Sequence, residues 1–79
     1  MPRYYFHLID ELVCPDEEGA ELSDLIAARA YAAQAILSIM ADEITRTARI
    51  RLSNRIEIED ERGSIVATLH FRDVLEIEQ

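Results

Sequence analysis

The stretch SDLIAARAYAAQAILSIMADEITRTA, residues 23–48, decides the fold. It contains neither Gly nor Pro, and its Ala, Leu, Ile, Met and Gln are among the better helix formers. The spacing predicts one long helix from about Asp24 to Thr47 or Ala48. Ser23 is the expected N-cap, its hydroxyl accepting from the free amides of the first turn. Asp24 then meets the positive end of the helix dipole. Ile26, Ala30, Ala33, Leu37, Met40 and Ile44 recur at alternating spacings of four and three and form one apolar stripe, which Ala32, Ile36 and Ile39 widen. Tyr31, Gln34, Ser38, Asp42 and Thr45 fall opposite, toward water. Abundant alanine lets such a helix lie close against a sheet.

The flanking segments supply that sheet. From Arg3 to Asp10, Tyr4, Phe6 and Leu8 alternate with Tyr5, His7 and Ile9, a strand pattern in β-favouring residue types. Asp10-Glu11 offers a turn into a short strand, Leu12-Val13-Cys14, which Pro15 stops. Asp16-Glu17-Glu18-Gly19 is the next turn signal. Beyond Ser53-Asn54, Ile56 and Ile58 point one way and Glu57 and Glu59 the other. Ile65, Ala67, Leu69 and Phe71 then share one face, with Val66, Thr68 and His70 on the other. Keeping Ile58 beside Ile65 and Ile56 beside Ala67 requires an even loop, since a one-residue slip reverses every side chain. Asp60-Glu61-Arg62-Gly63, with Gly63 left-handed, meets that requirement. Arg72-Asp73 is expected to turn and residues 74–77 to add a last short strand. The expectation is one α+β domain over residues 1–79: a small antiparallel sheet in ββαββ order with one long helix on one face.

Sixteen acids against eight arginines give a net charge of −8, which argues against nucleic acid as the main partner. The acids gather before residue 25 and after residue 55, leaving the middle locally basic. With Cys14 as the only cysteine, no disulfide can form within the chain. A lone thiol and no leader-like start make the cytosol the expected location, and no uninterrupted apolar run is long enough to span a membrane. So short a chain buries a modest share of its surface, and self-association is the most economical source of further burial.

Three motifs together are familiar. They are Pro2-Arg3-Tyr4-Tyr5-Phe6-His7, the run from Asp16-Glu17-Glu18-Gly19 through Glu21-Leu22 and Asp24-Leu25 to Ala27-Ala28-Arg29-Ala30, and Ile56-Glu57-Ile58 followed by Asp60-Glu61 and Gly63. They resemble a domain-of-unknown-function family of short, mainly alphaproteobacterial proteins, over nearly the whole chain. Asp10-Glu11 replaces a common Asp-Gly turn of that pattern, and His70 stands where a Pro often precedes the Phe. The resemblance implies no activity. The element order is also similar, at the level of fold alone, to the antitoxin half of HicA/HicB-type systems.

The chemistry-bearing residues are few. His7 and His70 are both expected on the sheet face away from the helix, where Glu57 or Glu59 could join them in a metal or proton-transfer site. Half-exposed histidines on a solvated or dimer-facing sheet are the plainer reading. Asp16, Glu17, Glu18 and Glu21 lack the alternating spacing of a calcium loop and read as a solvated turn. Tyr4, Tyr5 and Phe6 suggest a stacking platform, but the acidic charge favours core or interface. Arg29 falls near the apolar stripe and is expected to clamp an acid of the Asp16–Glu21 turn. Arg46, Arg49, Arg51 and Arg55 form a basic patch that either meets an anionic partner or compensates the chain's own acids. Cys14 reads as a small buried hydrophobe. No catalytic constellation, metal set or cofactor motif emerges. The expected function is a non-enzymatic interaction module acting as a homodimer through Tyr5, His7, Ile9, Val66, Thr68 and His70. The alternative is an antitoxin-like or regulatory subunit binding a small basic protein.

Overall fold

A computed structural model describes residues 1–75. The elements are β1 (Arg3–Ile9), β2 (Val13–Cys14), β3 (Ala20–Glu21), α1 (Leu25–Thr47), β4 (Arg55–Glu59), β5 (Ile65–His70) and α2 (Phe71–Val74). The α+β class and the hairpin–helix–hairpin frame are as expected, with β3 and α2 added. The antiparallel strands run in the order β2–β1–β4–β5, and β3 pairs with the start of β1.

α1 begins one residue later than expected. The cap is Asp24, whose backbone is extended and whose Oδ1 accepts from the Ala27 amide at 2.8 Å. Ser23 lies outside the helix. At the far end Ala48 takes the left-handed conformation (φ 58°), and its N–H donates to the Ile44 carbonyl at 2.8 Å.

The core confirms the strand alternation and revises the helix face. Tyr4, Ile56, Ile58 and Phe71 are buried, with Phe6, Leu8, Ala67 and Leu69 packed around them. Against them α1 presents Ala28, Ala32, Ile36 and Met40, flanked by Leu25, Ala35 and Ile39. Of the expected stripe Met40 is buried, as are Ala32 and Ile36 on its widened margin; Ile26 is 79% exposed, Leu37 37% and Ile44 46%. The buried row runs along that widened margin, roughly 100° around the axis from the centre line of the six-residue stripe, given 3.6 residues per turn. Apolar residues occupy more than half of this helix's circumference, so periodicity alone does not select the inner row. Packing selects the row with Ala28 and Ala32 at the closest approach, where Ile26 and Leu37 would hold the helix off the sheet. Two apolar stripes also explain why α1, by length and composition alone, is apolar enough to cross a membrane.

The β4–β5 register differs from the expected one. Ile58 pairs with Ala67 and Ile56 with Leu69, while Ile65 lies opposite Glu59 and stays 50% exposed. The loop spans residues 60–64, an odd number, and the irregularity between Ile58 and Glu59 leaves Val66 as the bulged residue that restores parity. Asp60 organises this loop: its Oδ1 accepts from the amides of Arg62 (2.9 Å) and Ser64 (3.0 Å), and Gly63 is left-handed as expected (φ 84°). After β5, the expected Arg72-Asp73 turn and the start of the last strand are replaced by α2. The Phe71 amide donates to the Asn54 carbonyl at 2.9 Å, and its ring enters the core, which bends the chain off the sheet. The remainder of that expected strand, residues 76–77, lies outside the described residues.

Candidate functional site

Asp16 is the best-connected polar group on the sheet face away from α1. β2 and β3 lie along one edge of β1 and leave the Phe6 amide unpaired between them. Asp16 Oδ2 accepts from that amide at 3.1 Å. Its Oδ1 accepts from the amides of Glu18 (3.2 Å) and Gly19 (3.1 Å), which closes the acidic turn. Burial works to raise the Asp16 pKa, but the amides of Gly19, Phe6 and Glu18 outweigh it, with the His7 ring adding to them. The carboxyl is held below its usual range.

The same turn fixes the state of His7. The Asp16 N–H donates to His7 Nδ1 at 3.0 Å, so Nε2 carries the ring proton and donates to Glu59 Oε1 at 2.7 Å. Both nitrogens are engaged, leaving no lone pair to accept a substrate proton or bind a metal. His7 thus straps the turn, β1 and β4 together. His70 is not part of this group; it sits two strands away, opposite Arg55 on β4. Among the described residues, no three His, Cys, Asp or Glu side chains gather to hold a metal.

The strap also changes the expected interface face. Ile9 is buried at 8% exposure, and Tyr5 and His7 are half-buried beneath the Pro15–Gly19 segment. A Cβ on Gly19 would stand 2.6 Å from the Tyr4 carbonyl oxygen and 2.9 Å from the Tyr5 ring. Val66 and Thr68 remain exposed and His70 half-buried. The six residues therefore do not form one open surface. Cys14, expected to be buried, is exposed at the opposite edge.

The clamp on the acidic turn exists, but Arg3 supplies it. Arg3 Nη1 donates to the Glu18 carbonyl (2.8 Å) and Nη2 to Glu21 Oε1 (3.1 Å), across the β1–β3 pair. Arg29 is exposed between the two stripes of α1 and contacts no carboxylate among the described residues. Arg3, by contrast, lies directly opposite Glu21 across the β1–β3 pair.

The basic patch is largely spent on the chain's own acids. Arg46 pairs with Asp42 (3.0 Å) and Glu43 (3.2 Å), Arg51 approaches Glu43 at 3.8 Å, and Arg55 pairs with Glu57 at 3.2 Å. Arg49 is exposed with no acid beside it among the described residues. A wide groove of about 530 Å³ runs past Pro2, Tyr4 and residues 60–62. A cavity of about 20 Å³ between Met40, Asn54 and Phe71 has room for no more than a water.

What remains is the outer stripe of α1. Ile26, Ala30, Leu37, Ala41 and Ile44 are exposed along one side. The residues bordering them on the helix are Arg29, Gln34, Thr45 and Thr47, so this side carries no carboxylate in a chain with sixteen acids. The pattern is legible in the sequence, but its periodicity alone points to the core. Arg3 and Asp16 left fainter signals: an Arg in register with Glu21, and an Asp three residues before a Gly, the mark of an Asx turn.

The sequence model of one family, described as a domain of unknown function (DUF6894), matches residues 3–72. No curated protein and no solved structure matches the chain.

Proposed function

We propose that this chain, which belongs to the DUF6894 family, is a small non-enzymatic interaction module that works as a homodimer in the cytosol. The observation that supports this is the acid-free apolar side of α1. Isolated exposed apolar residues are ordinary, but a row along most of a 23-residue helix supports an interaction role. A net charge of −8 makes two copies repel each other at most approaches, and this side is where repulsion is least. The non-enzymatic reading is supported by His7, whose two nitrogens are taken up in the fold.

Light scattering from micromolar to millimolar protein tests this reading. A mass rising to twice that of the chain is expected, and a monomer throughout overturns it. A second reading keeps the module but gives it a small basic protein as partner. It is favoured by the acids exposed beside β2 and β3: Asp10, Glu11, Glu17, Glu18 and Glu21. Co-purification of a basic protein that is lost at high salt, with no self-association, would select it.

A further inference from the structure

The outer stripe of α1 has a neighbour in the fold. Tyr31 packs on Phe6 of β1 with the rings tilted by 42° and their centroids 4.7 Å apart, which places the Tyr31 side of α1 over β1. The outer stripe lies on the other flank of the buried row, by the spacing of its residues around the helix. Since the sheet runs β2–β1–β4–β5, that flank faces the β5 side of the molecule. β5 is the terminal strand of the sheet, and among the described residues its outer edge pairs with nothing. From Ser64 to Phe71 the sequence holds no Lys, Arg, Asp or Glu, and no Pro to blunt the edge. Ile65 and Val66 add exposed apolar surface there. An open strand edge and an apolar helix side thus lie together, away from the acids beside β2 and β3.

We infer that a second copy of this chain docks on this composite side about a two-fold axis normal to the sheet, pairing β5 with β5 and α1 with α1, both antiparallel. The inference rests on the self-association proposed above and names its surface and geometry. A two-fold axis normal to the sheet is the operation that runs two copies of an edge strand antiparallel, and it carries the covering helices into antiparallel contact with the same hand. Antiparallel helices also oppose their dipoles favourably. The area suffices. The stripe from Ile26 to Ile44 runs about 27 Å, and a helix on a sheet is two layers, roughly 20 Å deep. Each copy would bury on the order of 500 Å², about 1,000 Å² in total, the threshold for a biological interface and the range of weak, reversible dimers. Alanine at positions 30, 33 and 41 permits close approach of the helices.

Disulfide trapping combined with sedimentation velocity tests this. Thr68→Cys in a Cys14→Ser background places a thiol on β5 near the proposed axis, and oxidation is expected to give covalent dimers in high yield. Leu37→Glu, at a position already exposed, is expected to weaken self-association at least tenfold while circular dichroism stays native. Dimers that form without Thr68→Cys trapping, or that Leu37→Glu leaves intact, overturn this geometry while self-association stands. Rapid covalent dimers through the native Cys14 would do the same, by locating contact at the β2 edge. A wild-type chain that sediments as a monomer at all concentrations overturns both.

Discussion

At the scale of single residues, two glycines with the same backbone sign have different reasons to be glycine. Gly19 (φ 69°) and Gly63 (φ 84°) are both left-handed, a region that costs other residues about 1–2 kcal/mol. A Cβ at Gly63 meets only the Glu59 carboxylate at 3.7 Å, whereas at Gly19 it strikes backbone at 2.6 Å. Gly63→Ala is therefore expected to cost about 1 kcal/mol and Gly19→Ala about 2–4 kcal/mol, measured by urea unfolding. Asp16 gives the second prediction. Its folded pKa is depressed, so its stabilising contribution is complete above the unfolded carboxyl value and is lost as pH falls through the folded one. The wild type should lose stability on acidification below about pH 4. Asp16→Asn should be weaker at neutral pH and lose less over that range, because one amide oxygen cannot serve three N–H donors. Equal acid slopes for the two proteins would refute the role given to Asp16.

At the scale of elements, α1 is the instructive case. Ile36 and Leu37 are neighbours in the chain and similar in size, yet Ile36 is fully buried and Leu37 is 37% exposed. Ile36→Ala should cost about 2–5 kcal/mol by leaving a cavity against the sheet. Leu37→Ala should cost under about 1 kcal/mol when measured at a concentration where the chain is monomeric. Equal losses at the two positions would mean that the helix is turned differently on the sheet. Helix existence and length were legible from residues 23–48, because propensity and spacing are local properties. Its rotation was not, because both rows of α1 are apolar and the choice depends on which fits Tyr4, Ile58 and Phe71. The β4–β5 loop is similar: the alternation of Ile56 and Ile58 was readable, but the Val66 bulge follows from how Asp60 wraps the loop amides.

At the scale of the whole molecule, charge and apolarity separate. Acids surround the β2 and β3 edge, while the outer row of α1 and β5 themselves hold none. If self-association on that side is linked to folding, the unfolding midpoint must rise with protein concentration. Differential scanning calorimetry over a hundredfold concentration range should show that rise for the wild type and not for Leu37→Glu. A midpoint independent of concentration for both proteins would count against linkage between dimerisation and folding.

The sequence by itself determined the class of this protein, its long helix, the alternation that places Tyr4, Phe6, Leu8, Ile56 and Ile58 in the core, and the left-handed Gly63. These follow from backbone propensity and side-chain period, which each segment carries alone. It also contained most of the candidate site, as Ile26, Ala30, Leu37 and Ile44, while its periodicity placed that row in the core. Only the tertiary structure decided that these residues face outward, that Arg3 rather than Arg29 holds the acidic turn, and that His7 is locked between Asp16 and Glu59. Each of those outcomes turns on which partner lies within a few ångströms, and that is set by packing segments distant in sequence.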